Sequence, residues 1–190
     1  MILKINKSRF NTTIGCIYCL WKENSSTEIG NNKPEIIFLG NSEINFNKYI
    51  EELKKKYLKN QIIFINKKLS DIENKVKAYL LGREKLMDLK PYFLTGTEFE
   101  KKVWRATQSI PCGKVASYKN LAFLAGKPHA WRAVGSALRK NPVMLIIPCH
   151  RIIKSDGTVG NFSGGREIKK YLLQLEKIFY LRNYKKFSRF

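Results

Sequence analysis

The chain has 190 residues, 44 % hydrophobic and 27 % charged, which is the profile of a folded protein with a sizeable core and excludes a disordered one. No apolar run approaches bilayer length, and residues 1–9 mix charged with apolar side chains, so neither a membrane span nor a secretory signal is expected. Four cysteines are too few for a disulfide framework, and the formal charge of +21 points to a polyanionic partner or to a lysine-rich surface that serves solubility alone.

In chain order, residues 11–22 and 35–39 read as strands flanking a polar stretch that contains Asn24, Ser25, Gly30 and Asn31. Residues 47–58 are spaced for a helix that buries Tyr49, Ile50, Leu53 and Tyr57. A short strand over residues 61–65 and a helix over 71–80 complete a small α/β layer. Pro91 and Gly96 interrupt the pattern, so a domain boundary is expected between Lys90 and Gly96.

The second half is more sharply punctuated. Thr97 with Glu100 forms a capping-box signature ahead of a helix whose apolar face is Phe99, Val103 and Trp104 and which stops before Pro111. Ser117 caps a second helix over 118–124, ended by Ala125 and Gly126. A third helix over 130–140 stops at Asn141 and Pro142 and carries Arg132, Arg139 and Lys140, which makes the pair a helix-turn-helix candidate. Charge agrees, since residues 1–94 carry 17 Lys/Arg against 10 Asp/Glu while residues 95–190 carry 19 against 5. The apolar run 143–147 reads as a buried strand leading to Pro148, Cys149, His150 and Arg151. A loop with Gly157, Gly160, Gly164 and Gly165 follows, then a helix with Ile168, Tyr171, Leu172, Leu175 and Glu176 and a basic aromatic tail. The expected domains are 1–92, 93–177 and the tail 178–190.

A thiolate is the reactive form of cysteine, and a neighbouring histidine can generate it, so Cys149 beside His150 reads either as a reactive pair or as a buried inert cysteine beside a structural histidine. In an extended strand the two side chains would point to opposite faces, so the reactive alternative requires the chain to turn there. Cys16 and Cys19 have the spacing of a metal knuckle, but the two histidines, His129 and His150, lie far downstream, and core cysteines are the favoured account.

The ordered run Val115-Ala116-Ser117-Tyr118, Arg132-Ala133-Val134-Gly135, Asn141-Pro142-Val143-Met144-Leu145-Ile146-Ile147-Pro148-Cys149-His150-Arg151, Gly160-Asn161-Phe162-Ser163-Gly164-Gly165 and Leu172-Leu173-Gln174-Leu175-Glu176 resembles the O6-alkylguanine-DNA alkyltransferases, also called methylated-DNA–protein-cysteine methyltransferases. The resemblance covers residues 93–177. It implies an α/β N-terminal domain and a mainly helical C-terminal domain that carries the helix-turn-helix and the Pro-Cys-His-Arg loop. It also implies a suicide methyltransferase for DNA repair that moves the alkyl group of O6-alkylguanine, or of O4-alkylthymine, irreversibly onto Cys149.

In that pattern His150 deprotonates the thiol through a water, Glu176 orients the histidine and Asn141 braces the loop. Tyr118 crowds the target phosphate and protonates guanine N3, while Arg132 occupies the space of the flipped base. Ser117, Ala133, Gly135, Arg139 and Lys140 are the other implied DNA contacts. Met144, Pro148, Val159, Gly160, Phe162 and Ser163 are the implied substrate pocket. The implied partner is duplex DNA holding O6-alkylguanine, met by a cytoplasmic monomer without metal, cofactor or membrane.

Trp131 departs from the pattern where a small residue is usual, Met144 where proline is frequent and Phe162 where tyrosine is frequent, and serine at 136 is a milder change. The zinc ligands of some relatives have no counterpart, because the first half has no histidine. The alternatives are a non-catalytic sensor of alkylated DNA and a helix-turn-helix transcriptional regulator.

Overall fold

The computed structural model describes residues 2–24, 33–58, 61–86 and 89–187, the last ten by backbone alone. The polar residues Ser25, Gly30 and Asn31 lie outside them, as does the end of the basic aromatic tail. The chain divides into two compact units. One comprises Met1–Lys77, Leu86–Thr95 and Pro142–Ile146; the other comprises Ala78–Lys85, Gly96–Asn141 and Ile147–Phe190. Against the single cut at 92/93 that punctuation suggests, residues 78–85 fall in the second unit and residues 93–95 and 142–146 in the first.

The first unit is a five-stranded sheet. β1 (Leu3–Thr12), β2 (Gly15–Lys22), β3 (Glu35–Gly40), β4 (Ile62–Asn66) and β5 (Lys90–Pro91) lie in the order β4-β1-β2-β3-β5. Residues 11–22 are thus not one strand. They hold the end of β1, a turn and β2, because Gly15 takes a φ of +99° that lets the chain reverse. Register confirms the hairpin, with Thr12 opposite Gly15 and Asn6 opposite Trp21.

The helix α1 (Glu43–Lys56) starts four residues earlier than the apolar spacing suggests, because Ser42 accepts a hydrogen bond from Asn45 N and caps it. Its buried face is Phe46, Tyr49 and Leu53, and the Phe46 and Tyr49 rings meet Phe38 of β3 at 5.6 and 5.3 Å between centroids. Ile50 and Tyr57 are only partly buried. The helix α2 (Ser70–Leu80) ends in the second unit.

Residues 143–147 are not a strand. Leu39 N donates to Pro142 O at 2.9 Å and Met144 N to Leu39 O at 2.7 Å, a single bridge to β3. The chain then turns through Leu145, whose φ of +72° no regular strand allows. An apolar run reports burial, and here burial comes without a ladder.

The second unit is mainly helical: α3 (Glu98–Gln108), α4 (Tyr118–Leu124), α5 (Trp131–Arg139) and α6 (Arg166–Phe187), with β6 (Ala116–Ser117) paired in parallel to β7 (Ile152–Ile153). The capping box of α3 forms as expected, Thr97 Oγ1 accepting from Glu100 N at 3.2 Å and Glu100 accepting from Thr97 N at 2.8 Å. Ser117 caps α4, and Gly126 at φ +75° turns the chain toward α5, so α4 and α5 form the expected helix-turn-helix pair.

Val103, Leu121, Ala122, Val134, Ala137 and Leu138 make the shared core with Cys149 and Ile152, and the Trp104 indole donates to Ala137 O at 2.8 Å. The helix α6 continues as backbone helix to Phe187, past the start of the expected tail at 178. Among the described residues no helix is long and apolar enough to cross a membrane.

Candidate active site

The chain turns at the point the chemistry requires. Pro148 (φ −81°, ψ 62°) leads into one turn of 3-10 helix, Cys149–Arg151, closed by Arg151 N donating to Pro148 O at 2.9 Å. Successive side chains in such a turn diverge by about 120° rather than 180°. Cys149 and His150 therefore project to different sides without lying on opposite faces of a sheet, and both are buried, at 5 % and 0 % exposure. Asn141 braces the turn: its amide donates to Ile147 O at 3.0 Å and reaches Cys149 Sγ at 3.3 Å.

Behind the cysteine lies a buried carboxylate that collects donors. Glu176 Oε1 accepts from Tyr79 Oη at 2.8 Å and from an Arg151 terminal nitrogen at 2.6 Å, and stands 3.1 Å from His150 Nε2. Its Oε2 accepts from Arg151 Nε at 2.9 Å and Gly113 N at 3.2 Å. Burial alone would raise this acid, but hydrogen bonds from His150 and Arg151, with the charge of the guanidinium, outweigh it and hold the carboxyl well below the usual carboxylate range.

An ionised Glu176 fixes the histidine tautomer. Burial lowers the His150 pKa from 6.5, against the opposing pull of Glu176, so the ring is neutral near neutral pH. The Nε2–H then donates to Glu176 and leaves Nδ1 with its lone pair, buried and without a hydrogen-bond partner. This imidazole is set up to accept a proton. Burial raises the Cys149 thiol, while the Asn141 amide and the Lys169 ammonium act in the opposite direction. A thiol in that state needs a base.

Lys169 of α6 is fully buried, and its ammonium donates to Ile152 O and, at 3.4 Å, to Asn161 O. It ties β7 to the glycine-rich loop. Burial brings its pKa down to about 8, opposed by the Cys149 charge.

Cys149 opens onto a cavity of about 640 Å³. One wall is helical, with Tyr118 and Lys119 of α4 and Trp131, Arg132, Gly135, Ser136, Leu138 and Arg139 of α5. The other is the loop residues Lys154, Ser155, Gly160, Asn161, Phe162 and Ser163. Burial, then the Cys149 charge, raises the Tyr118 phenol, which keeps its proton available to donate. Gly160 is required by close approach: with φ at +68°, a Cβ there would stand 3.2 Å from Tyr118 Oη.

A buried thiol with a neutral imidazole and an ionised carboxylate behind it, opening on a basic cavity beside a helix-turn-helix, has counterparts among known proteins. Residues 98–178 match the family profile described as the DNA binding domain of 6-O-methylguanine DNA methyltransferase. A methylated-DNA–protein-cysteine methyltransferase of Methanosarcina barkeri is 44 % identical over 113 residues, covering 59 % of this chain and 71 % of that protein. The chain belongs to this family.

An inducible methylated-DNA–protein-cysteine methyltransferase of Bacillus subtilis is 37 % identical over 146 residues, covering 75 % of this chain and 79 % of the relative. The likeness extends to the fold. The crystal structure of the Mycobacterium tuberculosis O6-methylguanine methyltransferase superposes with a TM-score of 0.71 at 26 % identity, over 92 % of this chain and 93 % of the other. The crystal structure of Mycobacterium tuberculosis OGT in complex with DNA gives 0.68 at 27 %, over 93 % and 94 %.

Of the residues that the family pattern singles out, Cys149, His150, Glu176 and Asn141 converge as described. Tyr118, Arg132, Gly135, Arg139, Gly160, Phe162 and Ser163 line the cavity with Cys149. Others stand elsewhere. Met144, Pro148 and Val159 are not among the cavity's lining residues; Met144 is 3 % exposed in the segment bridged to β3. Ser117 Oγ is engaged with Asn120, and Lys140 pairs with Glu100 at 2.7 Å. Ala133 is exposed outside the cavity lining.

Tyr79, Arg151, Gly113 and Lys169 complete the site and are not singled out by sequence reasoning. Lys169 carried a signal, since it stands three residues before Leu172 and seven before Glu176 on the inward stripe of α6. Arg151 is adjacent to the reactive pair. Tyr79 and Gly113 meet Glu176 only through the tertiary fold.

Proposed function

We propose that Cys149 is the alkyl acceptor of a single-turnover DNA repair reaction on O6-alkylguanine, and that the second unit carries both recognition and chemistry. The observation that carries this reading is the buried His150, neutral and held by an ionised Glu176, next to a thiol at the base of a basic cavity.

His150 Nδ1 takes the thiol proton through a bridging water. Cys149 Sγ then forms a bond to the alkyl carbon as the carbon–O6 bond breaks, and the electron pair leaves with guanine. Tyr118 donates a proton to guanine N3, and the proton taken from the thiol replenishes the phenol. The products are guanine in DNA and an S-alkyl cysteine. A thioether lacks the acyl carbon through which water releases an acyl-enzyme, so the chain is spent.

A guanine stacked in a duplex cannot reach a thiol at the base of a cavity, so the nucleotide flips out. Arg132, on the cavity wall at the start of α5, fills the vacated stack, and Arg139 contacts phosphate. Side chains that insert into a stack do so from the minor groove, where the helix pair docks. Ser163 and nearby loop amides meet the O6 side of the base. The four free cysteines suit a reducing compartment, the cytoplasm.

Intact-protein mass measurement after incubation with O6-methylguanine DNA tests the reading. One methyl group per chain, mapped to Cys149, is the expected result. Methyl on another residue, or an unmodified chain after prolonged incubation, overturns it.

A further inference from the structure

Trp131 and Arg132 are the first two residues of α5, and Ala130 before them supplies no side-chain cap. The Arg132 guanidinium lies over the Trp131 ring, 4.8 Å from its centroid, and both side chains line the Cys149 cavity. Trp21 and Trp104 are buried at 3 % and 1 % exposure. Trp131 leaves 41 % of its surface open beside the cavity, and its ring stands against the charge of a neighbour on the cavity wall.

We infer that Trp131 is a positioning residue for Arg132, its indole face holding the guanidinium at the rim of the Cys149 cavity before DNA arrives. The inference rests on the proposed role of Arg132 as the side chain that replaces the flipped base. An unsupported arginine stem samples many rotamers and loses that freedom on insertion into the stack. A stacked one has already lost part of it, so less binding free energy is spent on ordering when the helix meets the duplex. The planar indole also suits the planar guanidinium in a way that an aliphatic side chain of similar bulk does not.

A double-mutant cycle tests this with one readout, the ratio of the single-turnover rate on O6-methylguanine duplex to that on the free O6-methylguanine base. The variants are Trp131→Ala, Trp131→Phe, Trp131→Leu, Arg132→Ala and the Trp131→Ala/Arg132→Ala pair. Trp131→Ala is expected to lower the ratio by about two- to five-fold, the size of an exposed cation–π contact. Phenylalanine should restore most of the loss and leucine should not, while in the Arg132→Ala background the tryptophan change should cost nothing further.

A loss of equal size in the Arg132→Ala background would mean that Trp131 touches DNA on its own account, and would overturn the inference. So would an unchanged ratio in Trp131→Ala, or full rescue by leucine. If Arg132→Ala itself leaves the ratio unchanged, the base-replacing role fails first and the positioning role falls with it. That pattern is distinct from every other outcome.

Discussion

Arg151 grips both oxygens of Glu176, its Nε donating to Oε2 at 2.9 Å and a terminal nitrogen to Oε1 at 2.6 Å. The third guanidinium nitrogen donates to Ile110 O at 2.5 Å. The residue after the Cys-His pair thus anchors the carboxylate that sets the histidine tautomer, and ties it to the segment that follows α3. The fork geometry of arginine permits this; a lysine could not meet both oxygens and the carbonyl together.

Replacing Arg151 by methionine should leave a buried carboxylate short of its main cation. Breaking a buried pair from one side typically costs about 3–5 kcal/mol, and Glu176 is 1 % exposed against 12 % for Arg151. We expect a loss of that order in urea unfolding, together with slower alkyl transfer. Arg151→Lys should recover part of the stability. An unfolding midpoint within error of the parent would show that Tyr79, Gly113 and His150 suffice to hold Glu176.

The pH dependence follows from the direction of the His150 shift. Its folded pKa lies below the usual 6.5, so the neutral ring, the form that accepts the proton, persists as pH falls through 6.5. The single-turnover rate should therefore stay level there and decline only at lower pH. Stability behaves with the same sign. The contribution of a depressed histidine is fully present above 6.5 and is lost as pH falls from there through the folded value. Glu176, also depressed, adds a second loss that starts below the ordinary carboxyl value of 4.5. A rate profile with its acid limb centred at 6.5 or above would contradict this account.

Gly160→Ala should damage both stability and rate. A left-handed φ costs a non-glycine residue about 1–2 kcal/mol, and the added methyl would press on the Tyr118 hydroxyl at 3.2 Å. Thermal unfolding should move down, and transfer from duplex DNA should slow because Tyr118 is displaced from the cavity wall. Parent-like values on both measurements would show that the loop relaxes without effect on the site.

Electrostatics should govern the encounter with DNA. Residues 95–190 hold 19 Lys/Arg against 5 Asp/Glu, and neutralised phosphates release counterions. Binding to undamaged duplex should weaken steeply as salt rises from about 50 to 200 mM, with a linear double-logarithmic plot. Lys140 should contribute little to that slope, since it is paired with Glu100 at 2.7 Å. Affinity independent of salt would assign the charge to solubility instead.

What the sequence determined by itself was local or patterned. Thr97 with Glu100, Ser117 before Tyr118 and Gly126 after α4 specify helix ends through hydrogen bonds and dihedrals that involve only near neighbours, and they stand where expected. The ordered motif from Asn141 to Arg151 marked Cys149 as the candidate alkyl acceptor, through its resemblance to a family rather than through composition or spacing.

Tertiary structure decided the rest. The run 143–147 is apolar in the way a buried strand is, yet hydrophobicity cannot tell a strand from a buried turn, and Leu145 makes it a turn. β1 escaped notice because its polar residues Asn6, Lys7 and Arg9 obscure the alternation. Most telling is Glu176, which accepts from Tyr79, Gly113, Arg151 and His150, partners 97, 63, 25 and 26 residues away. No local pattern encodes such a meeting; a buried charge has to find its donors in three dimensions, and only the folded chain brings them within hydrogen-bond reach.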